Sequence, residues 1–180
     1  YVTSYEYADL HQLSLLWFGD DLKHFKKWHH FSKEFIDFRR NFIGTSSKEE
    51  KSGDFNSSIA KQIVDDLAQI ERPLAVDVAN YFLDMKKVFG EMHRILKTGA
   101  KACIIIGNTS LRGVEILNAQ VAAEQMQAAG FRKPVFIKRE IPNKMITPYR
   151  DLESGKFTGK DNPSKIRAYE FEYVVVMEKV

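Results

Sequence analysis

One stretch near the middle of the chain limits the fold more than any other. Between 76 and 97, Val78, Phe82, Met85, Val88, Phe89, Met92, Ile95 and Leu96 recur at three- and four-residue steps. That spacing places side chains on one face of an α-helix. Gly99 comes next, where a helix C-terminus is capped, since glycine enters the left-handed region without strain. Then comes Ala-Cys-Ile-Ile-Ile-Gly at 102–107, a short apolar run rich in β-branched residues. A helix closed by glycine and feeding such a run predicts an α/β unit with a buried parallel strand. Residues 108–113 form the loop at that strand's C-terminal end, where open α/β sheets place their ligands.

The other segments are read outward from this block. Residues 7–18 carry Tyr7, Leu10, Leu13, Leu16 and Trp17 near helical spacing, with Gly19 as a stop. In 21–43, Phe25, Trp28, Phe31, Phe35 and Phe38 alternate with Lys23, Lys26, Lys27, Lys33, Arg39 and Arg40, which predicts an amphipathic helix with a basic outer face. Residues 44–58 have no periodicity and many turn formers, so they read as a loop. Helices are expected over 59–71 and 114–129, the latter closed by Gly130, and Pro73 marks a helix start. Strands are expected at 134–141 and in the closing run Tyr-Glu-Phe-Glu-Tyr-Val-Val-Val-Met-Glu-Lys-Val. The polar stretch 142–168, with its prolines and glycines, reads as irregular. No linker divides the 180 residues.

Bulk properties exclude more than they assign. A net charge of +3 is too small to argue for nucleic acid by itself. The one cysteine, Cys103, excludes an internal disulfide and suits a reducing cytosol. No apolar run approaches the roughly 20 residues of a membrane span. His29 and His30 are adjacent, so on a helix they diverge by about 100° and cannot share a metal. The chain starts at Tyr1 and contains no Gly-x-Gly turn of the kind that holds a nucleotide-like cofactor.

Three segments resemble one family. Tyr-Val-Thr-Ser-Tyr-Glu-Tyr and its Leu-Leu-Trp continuation are similar to the stretch after the Ser-Pro-Pro-Tyr motif in S-adenosylmethionine-dependent DNA amino-methyltransferases. The block 81–116, with its Gly-Asn-Thr loop and Arg-Gly, resembles the next helix, strand and loop of that family. Phe-Ile-Lys-Arg-Glu-Ile-Pro and the closing run resemble its last two strands. The resemblance spreads over nearly the whole chain and covers the C-terminal half of the family's domain.

The resemblance implies a partial Rossmann-like methyltransferase fold: strands 5–7 of a seven-stranded, mostly parallel sheet. In it the last strand, antiparallel, lies between the strands at 101–106 and 134–141, with the helical basic-aromatic segment 20–72 alongside. It implies methyl transfer to an exocyclic amine of a flipped base, with cytosine N4 favoured over adenine. An RNA methyltransferase and a non-catalytic nucleic-acid-binding remnant are the alternatives. Tyr1 takes the place of the motif tyrosine that stacks on the base. Tyr5, Tyr7, Asn108 and Thr109 are base-pocket candidates, although Tyr7 also fits a core position and Asn108 also fits turn chemistry. Lys23, Lys26, Lys27, Arg39, Arg40, Arg112, Arg139 and Lys144 are candidate phosphate contacts, or equally a solvated basic surface. The Ser-Pro-Pro and the main elements for S-adenosylmethionine are expected on an N-terminal half outside this sequence. An open sheet edge where that half would pair makes a homodimer of the isolated chain a further expectation.

Overall fold

The computed structural model describes residues 2, 40–45, 49–141, 149–153, 156–167 and 171–180. Helix α1 spans Ser58–Ile70 and α2 spans Arg72–Ile95. The Ser57 hydroxyl starts α1 by accepting from the Ala60 N–H, satisfying one of the donors that the first turn leaves over. Glu71 alone separates the two helices, and Pro73 in the first turn of α2 costs no hydrogen bond there. The last turn of α2 is held by Lys179, whose Nζ donates to the carbonyls of His93 (2.6 Å) and Leu96 (2.9 Å). A cation at that end also answers the helix dipole.

Strand β1 comes next at Lys101–Ile106, then a hairpin of β2 (Thr109–Leu111) and β3 (Val114–Ile116). The hairpin's two-residue turn is Arg112–Gly113, both at positive φ (51° and 80°), the geometry that matches the twist of paired strands. Helix α3, Asn118–Ala129, ends at Gly130 with φ 114°. A Cβ there would also stand 2.6 Å from the His93 ring, so Gly130 meets a conformational and a steric demand together. Strand β4 (Phe131–Glu140) tolerates Pro134 because it is an edge strand with a bulge between Arg132 and Val135. The small strands β5 (Tyr149–Asp151), β6 (Phe157–Thr158) and β7 (Lys165–Arg167) form a separate sheet in the order β6-β5-β7, and β8 (Phe171–Lys179) ends the fold.

The expected mostly parallel, Rossmann-like sheet is corrected by the pairing. The main sheet has the order β1-β8-β4, and every strand pair among the described residues is antiparallel. The closing strand does lie between the other two and runs opposite to both, so both ladders are antiparallel, and β8 keeps β1 and β4 from pairing with each other. A β-branched run fixes neither the direction of its partner nor burial on both faces. Indeed β1 is not fully buried, since Cys103 is exposed and Ile105 is 60% exposed. Two further expectations shift. Helix α3 begins at 118 instead of 114, because 114–116 pair with 109–111, and the stretch 142–168 contains three short strands.

Two apolar clusters hold the layers together. Ile63, Leu67, Val78, Tyr81, Phe82, Ile116 and Val121 join α1, α2, β3 and α3. Phe89, Ala102, Ala119, Ala122, Ala123, Met126, Phe131, Val175 and Met177 seat α2 and α3 on one face of the main sheet. The alanines of α3 let its backbone approach the strands closely. No helix among the described residues is long and apolar enough to cross a membrane.

Candidate nucleic-acid site

The C-terminal end of β1 opens onto a cavity of about 390 Å3. Its walls come from four places: Asn108 with the β2–β3 hairpin that follows it (Thr109, Ser110, Glu115), the start of α3 (Leu117, Gln120), the small sheet (Arg150, Ile166, Arg167) and the start of β8 (Phe171, Tyr173). A second cavity of about 200 Å3 adjoins it, with Ser110 and Arg150 in both walls.

Local hydrogen bonding explains why the loop sits where it does. Asn108 Oδ1 accepts from the Ala119 N–H (3.0 Å), and its Nδ2 donates to Gln120 Oε1 (2.9 Å). Asn118 Nδ2 donates back to the Gly107 carbonyl at 2.9 Å. Two asparagines thus tie the end of β1 to the first turn of α3, which has no cap from its own N-cap residue, Leu117. Asn108 therefore lines the cavity chiefly as a scaffold residue. Thr109, half-buried in β2, lines it as a side chain on a strand.

Among the described residues of the cavity lining, cations outnumber anions. Arg150 is the central residue of β5 and pairs with Phe157 and Ile166 on its two neighbours. Its guanidinium lies 4.5 Å from the centroid of the Phe157 ring, a stacking that restricts its rotamers. Arg167 is exposed at the end of β7. Lys138 stands 3.8 Å from the centroid of Phe171, so one aromatic wall also carries a charge. Among the described lining residues the opposing carboxylate is Glu115. The N-terminus of α3 contributes the positive end of its dipole.

The candidate residues from the sequence divide three ways. Asn108 and Thr109 come together in the cavity wall. Arg112 instead sits in the hairpin turn and donates from Nε to Glu71 at 2.6 Å. Arg139 is paired across the β4–β8 ladder with Glu172, its register partner. Both guanidiniums are paired with protein carboxylates; Arg112 and Glu71 line the second cavity, and Arg139 is in the lining of neither. Arg40 lies exposed in the short segment before residue 45. Tyr1, Tyr5, Tyr7, Lys23, Lys26, Lys27, Arg39 and Lys144, with most of the basic-aromatic segment, lie outside the described residues.

Sequence reasoning missed Arg150, Arg167, Phe171 and Tyr173. The signal was present as short triplets, Tyr-Arg-Asp and Lys-Ile-Arg, separated by glycine, proline and asparagine turn formers. The described lining of the cavity contains no glycine-rich turn of the kind that seats a nucleotide-like cofactor. No protein-family model matches the chain, and no curated protein or solved structure shows significant similarity to it.

Proposed function

We propose that the chain is the target-side part of an S-adenosylmethionine-dependent DNA amino-methyltransferase of the cytosol, with the cofactor held by a part outside these residues. The observation that carries this reading is the cavity at the end of β1. It combines aromatic surface for a base, cations for the flanking phosphates and a carboxylate able to accept from an exocyclic amine. A base turned out of a duplex needs all three, since stacking replaces its lost neighbours and polar acceptors replace its lost partner. The family resemblance as a whole adds cytosine N4 as the favoured target over adenine. Positioning does most of the work in such a displacement, so these residues would bind and orient the amine while the remainder of the protein delivers the methyl group.

The test is methyl incorporation by the chain extended with its upstream coding sequence. Supplied with S-adenosylmethionine carrying a labelled methyl group, it should label duplex DNA. Label entering structured RNA alone would make it an RNA methyltransferase. A second reading is a nucleic-acid-binding module without catalysis, since the same aromatic and charged lining would serve binding alone. Salt-sensitive DNA binding with no label in either substrate would support that reading and overturn the first.

A further inference from the structure

We infer that Glu115 and Gln120 determine which bases the cavity admits, by reading an edge in which an exocyclic amine stands beside a bare ring nitrogen. The Glu115 carboxylate accepts from the amine, and Gln120 Nε2 donates to the ring nitrogen. The inference rests on the proposed function in taking the ligand to be a nucleobase, and it deepens that reading by assigning the selection to two residues.

The orientation of Gln120 follows from a backbone group. The Ala119 N–H can only donate, so the Asn108 atom that faces it at 3.0 Å is the carbonyl oxygen, Oδ1. Asn108 Nδ2 is thereby turned toward Gln120, and a donor there requires Oε1, at 2.9 Å. The end of Gln120 left over is Nε2, and Gln120 lines the cavity. One backbone N–H thus fixes two side-chain amides in sequence. Among the described residues no acceptor takes the Nε2 hydrogens.

Glu115 reaches the same cavity from β3. Its register partner is Ser110, and directly opposed residues share a face of the hairpin, so both line the cavity together. Among the described residues no cation pairs with Glu115, whereas Glu71 and Glu172 are taken by Arg112 and Arg139. The cavity therefore offers an uncommitted acceptor and an uncommitted donor, from β3 and from the first turn of α3. Leu117, Ile166 and Tyr173 add apolar surface for a ring, and about 390 Å3 is ample for a nucleoside-sized group.

An acceptor followed by a donor complements one order of groups and clashes with the reverse. Cytosine and adenine present an amine next to a ring nitrogen that accepts. Uracil and hypoxanthine carry a carbonyl oxygen and a ring N–H in the same two places, so each would set acceptor against acceptor and donor against donor. Polar groups left unmatched in a site cost more than matched ones gain. A two-point contact of this kind separates bases by about tenfold or more.

The experiment is fluorescence anisotropy of the 180-residue chain with short labelled deoxyoligonucleotides that carry one central base among abasic sites. The phosphates are then identical, and only the base changes: cytosine, uracil, adenine or hypoxanthine. The parent should bind cytosine about tenfold tighter than uracil, and adenine about tenfold tighter than hypoxanthine. The double variant Glu115→Gln, Gln120→Glu exchanges donor and acceptor at unchanged net charge, and its glutamate still accepts from Asn108. It should reverse the order, binding uracil tighter than cytosine. If its thermal melt shows that it does not fold, Glu115→Gln alone serves, because an amide that can present either end should bring the cytosine-to-uracil ratio close to one.

Equal affinity of the parent for cytosine and uracil would overturn the inference, as would a parental ratio in the folded double variant or, in its place, in Glu115→Gln. A preference between cytosine and adenine supports it and names the base; equal binding of the two supports it as a reader of the shared edge. Binding to none of the strands would overturn this inference and the nucleic-acid reading together. The two otherwise fail separately. Methyl transfer to DNA by the extended chain, with no cytosine-over-uracil preference, removes the Glu115–Gln120 assignment alone. A preference that the double variant reverses, with no methyl transfer, removes the methyltransferase reading alone.

Discussion

At Asn108 both ends of the side-chain amide are occupied by the scaffold. Its place in a ligand-facing loop is therefore a consequence of tying β1 to α3, and Asn108→Ala would disturb the loop before it disturbed any ligand. Gln125 has a similar part inside the molecule: its Nε2 donates to the carbonyls of Phe55 (3.0 Å) and Phe82 (2.9 Å), joining the approach to α1, α2 and α3. Tyr81 carries a prediction about pH. It is 4% exposed, and burial pushes its phenol up from the ordinary value of 10.0 to about 12. A raised folded-state value means that the unfolded chain loses its proton first as pH climbs. Stability from this group is then fully present below pH 10 and lost between about 10 and 12, by roughly 2–3 kcal/mol. Tyr81→Phe should remove that part of the alkaline loss in urea titrations, and a parental pH dependence in the variant would refute the assignment.

Among the elements, α1 depends on a side chain from another helix. Glu124 of α3 accepts from Ser57 Oγ (2.6 Å), Ser58 Oγ (3.2 Å) and the Ile59 N–H (3.2 Å). The Ser57 hydroxyl donates to this carboxylate while accepting from Ala60, so one oxygen serves both the cap and the tertiary tie. Glu124→Ala should lower stability by about 1–2 kcal/mol, measured by urea unfolding. Glu124→Gln should recover part of it, since the amide oxygen still accepts but the charge facing the helix dipole is gone. The existence of α1 and α2 was legible from periodicity, but the expected stop at Gly99 was not met: α2 ends at Ile95 with Leu96 as its cap, and Gly99 (φ 81°) lies in the turn that leads into β1. The hairpin was not legible, because Val114, Leu117 and Val121 stand at helical spacing and carry the helix pattern back across the strand. Only the pairing of 114–116 with 109–111 separates strand from helix there.

For the molecule as a whole, the two faces of the main sheet differ. Ala102, Val175 and Met177 lie under α2 and α3. On the other face the register aligns Cys103, Val176 and Val135 in one row and Ile105, Val174 and Ile137 in the next. Ile105 is 60% exposed, and Val135 and Ile137 are each 52% exposed. An apolar surface of this kind binds hydrophobic dyes without unfolding. The triple variant Ile105→Thr, Val135→Thr, Ile137→Thr should therefore lose most of the native-state dye fluorescence. Its melting temperature should fall little, because threonine keeps the β-branched shape and these positions bury little surface. Parental dye binding in the variant would show that the signal comes from elsewhere.

The chain's own residues dictated local matters: which segments hold apolar faces at helical spacing, where glycine must end a helix, and which runs favour extended backbone. Those arise from sterics and periodicity within a few residues: the block from 76 to 107 carried its helix and strand plainly, and Gly130 carried the end of α3. Strand direction, the bare face of the sheet and the cavity came instead from the assembled fold. Each depends on which distant segment arrives alongside, β8 between β1 and β4, or Arg150 and Arg167 beside the Asn108 loop. A run such as Cys-Ile-Ile-Ile has the same local preference beside a parallel neighbour as beside an antiparallel one. The choice lies in long-range packing that no window of sequence contains.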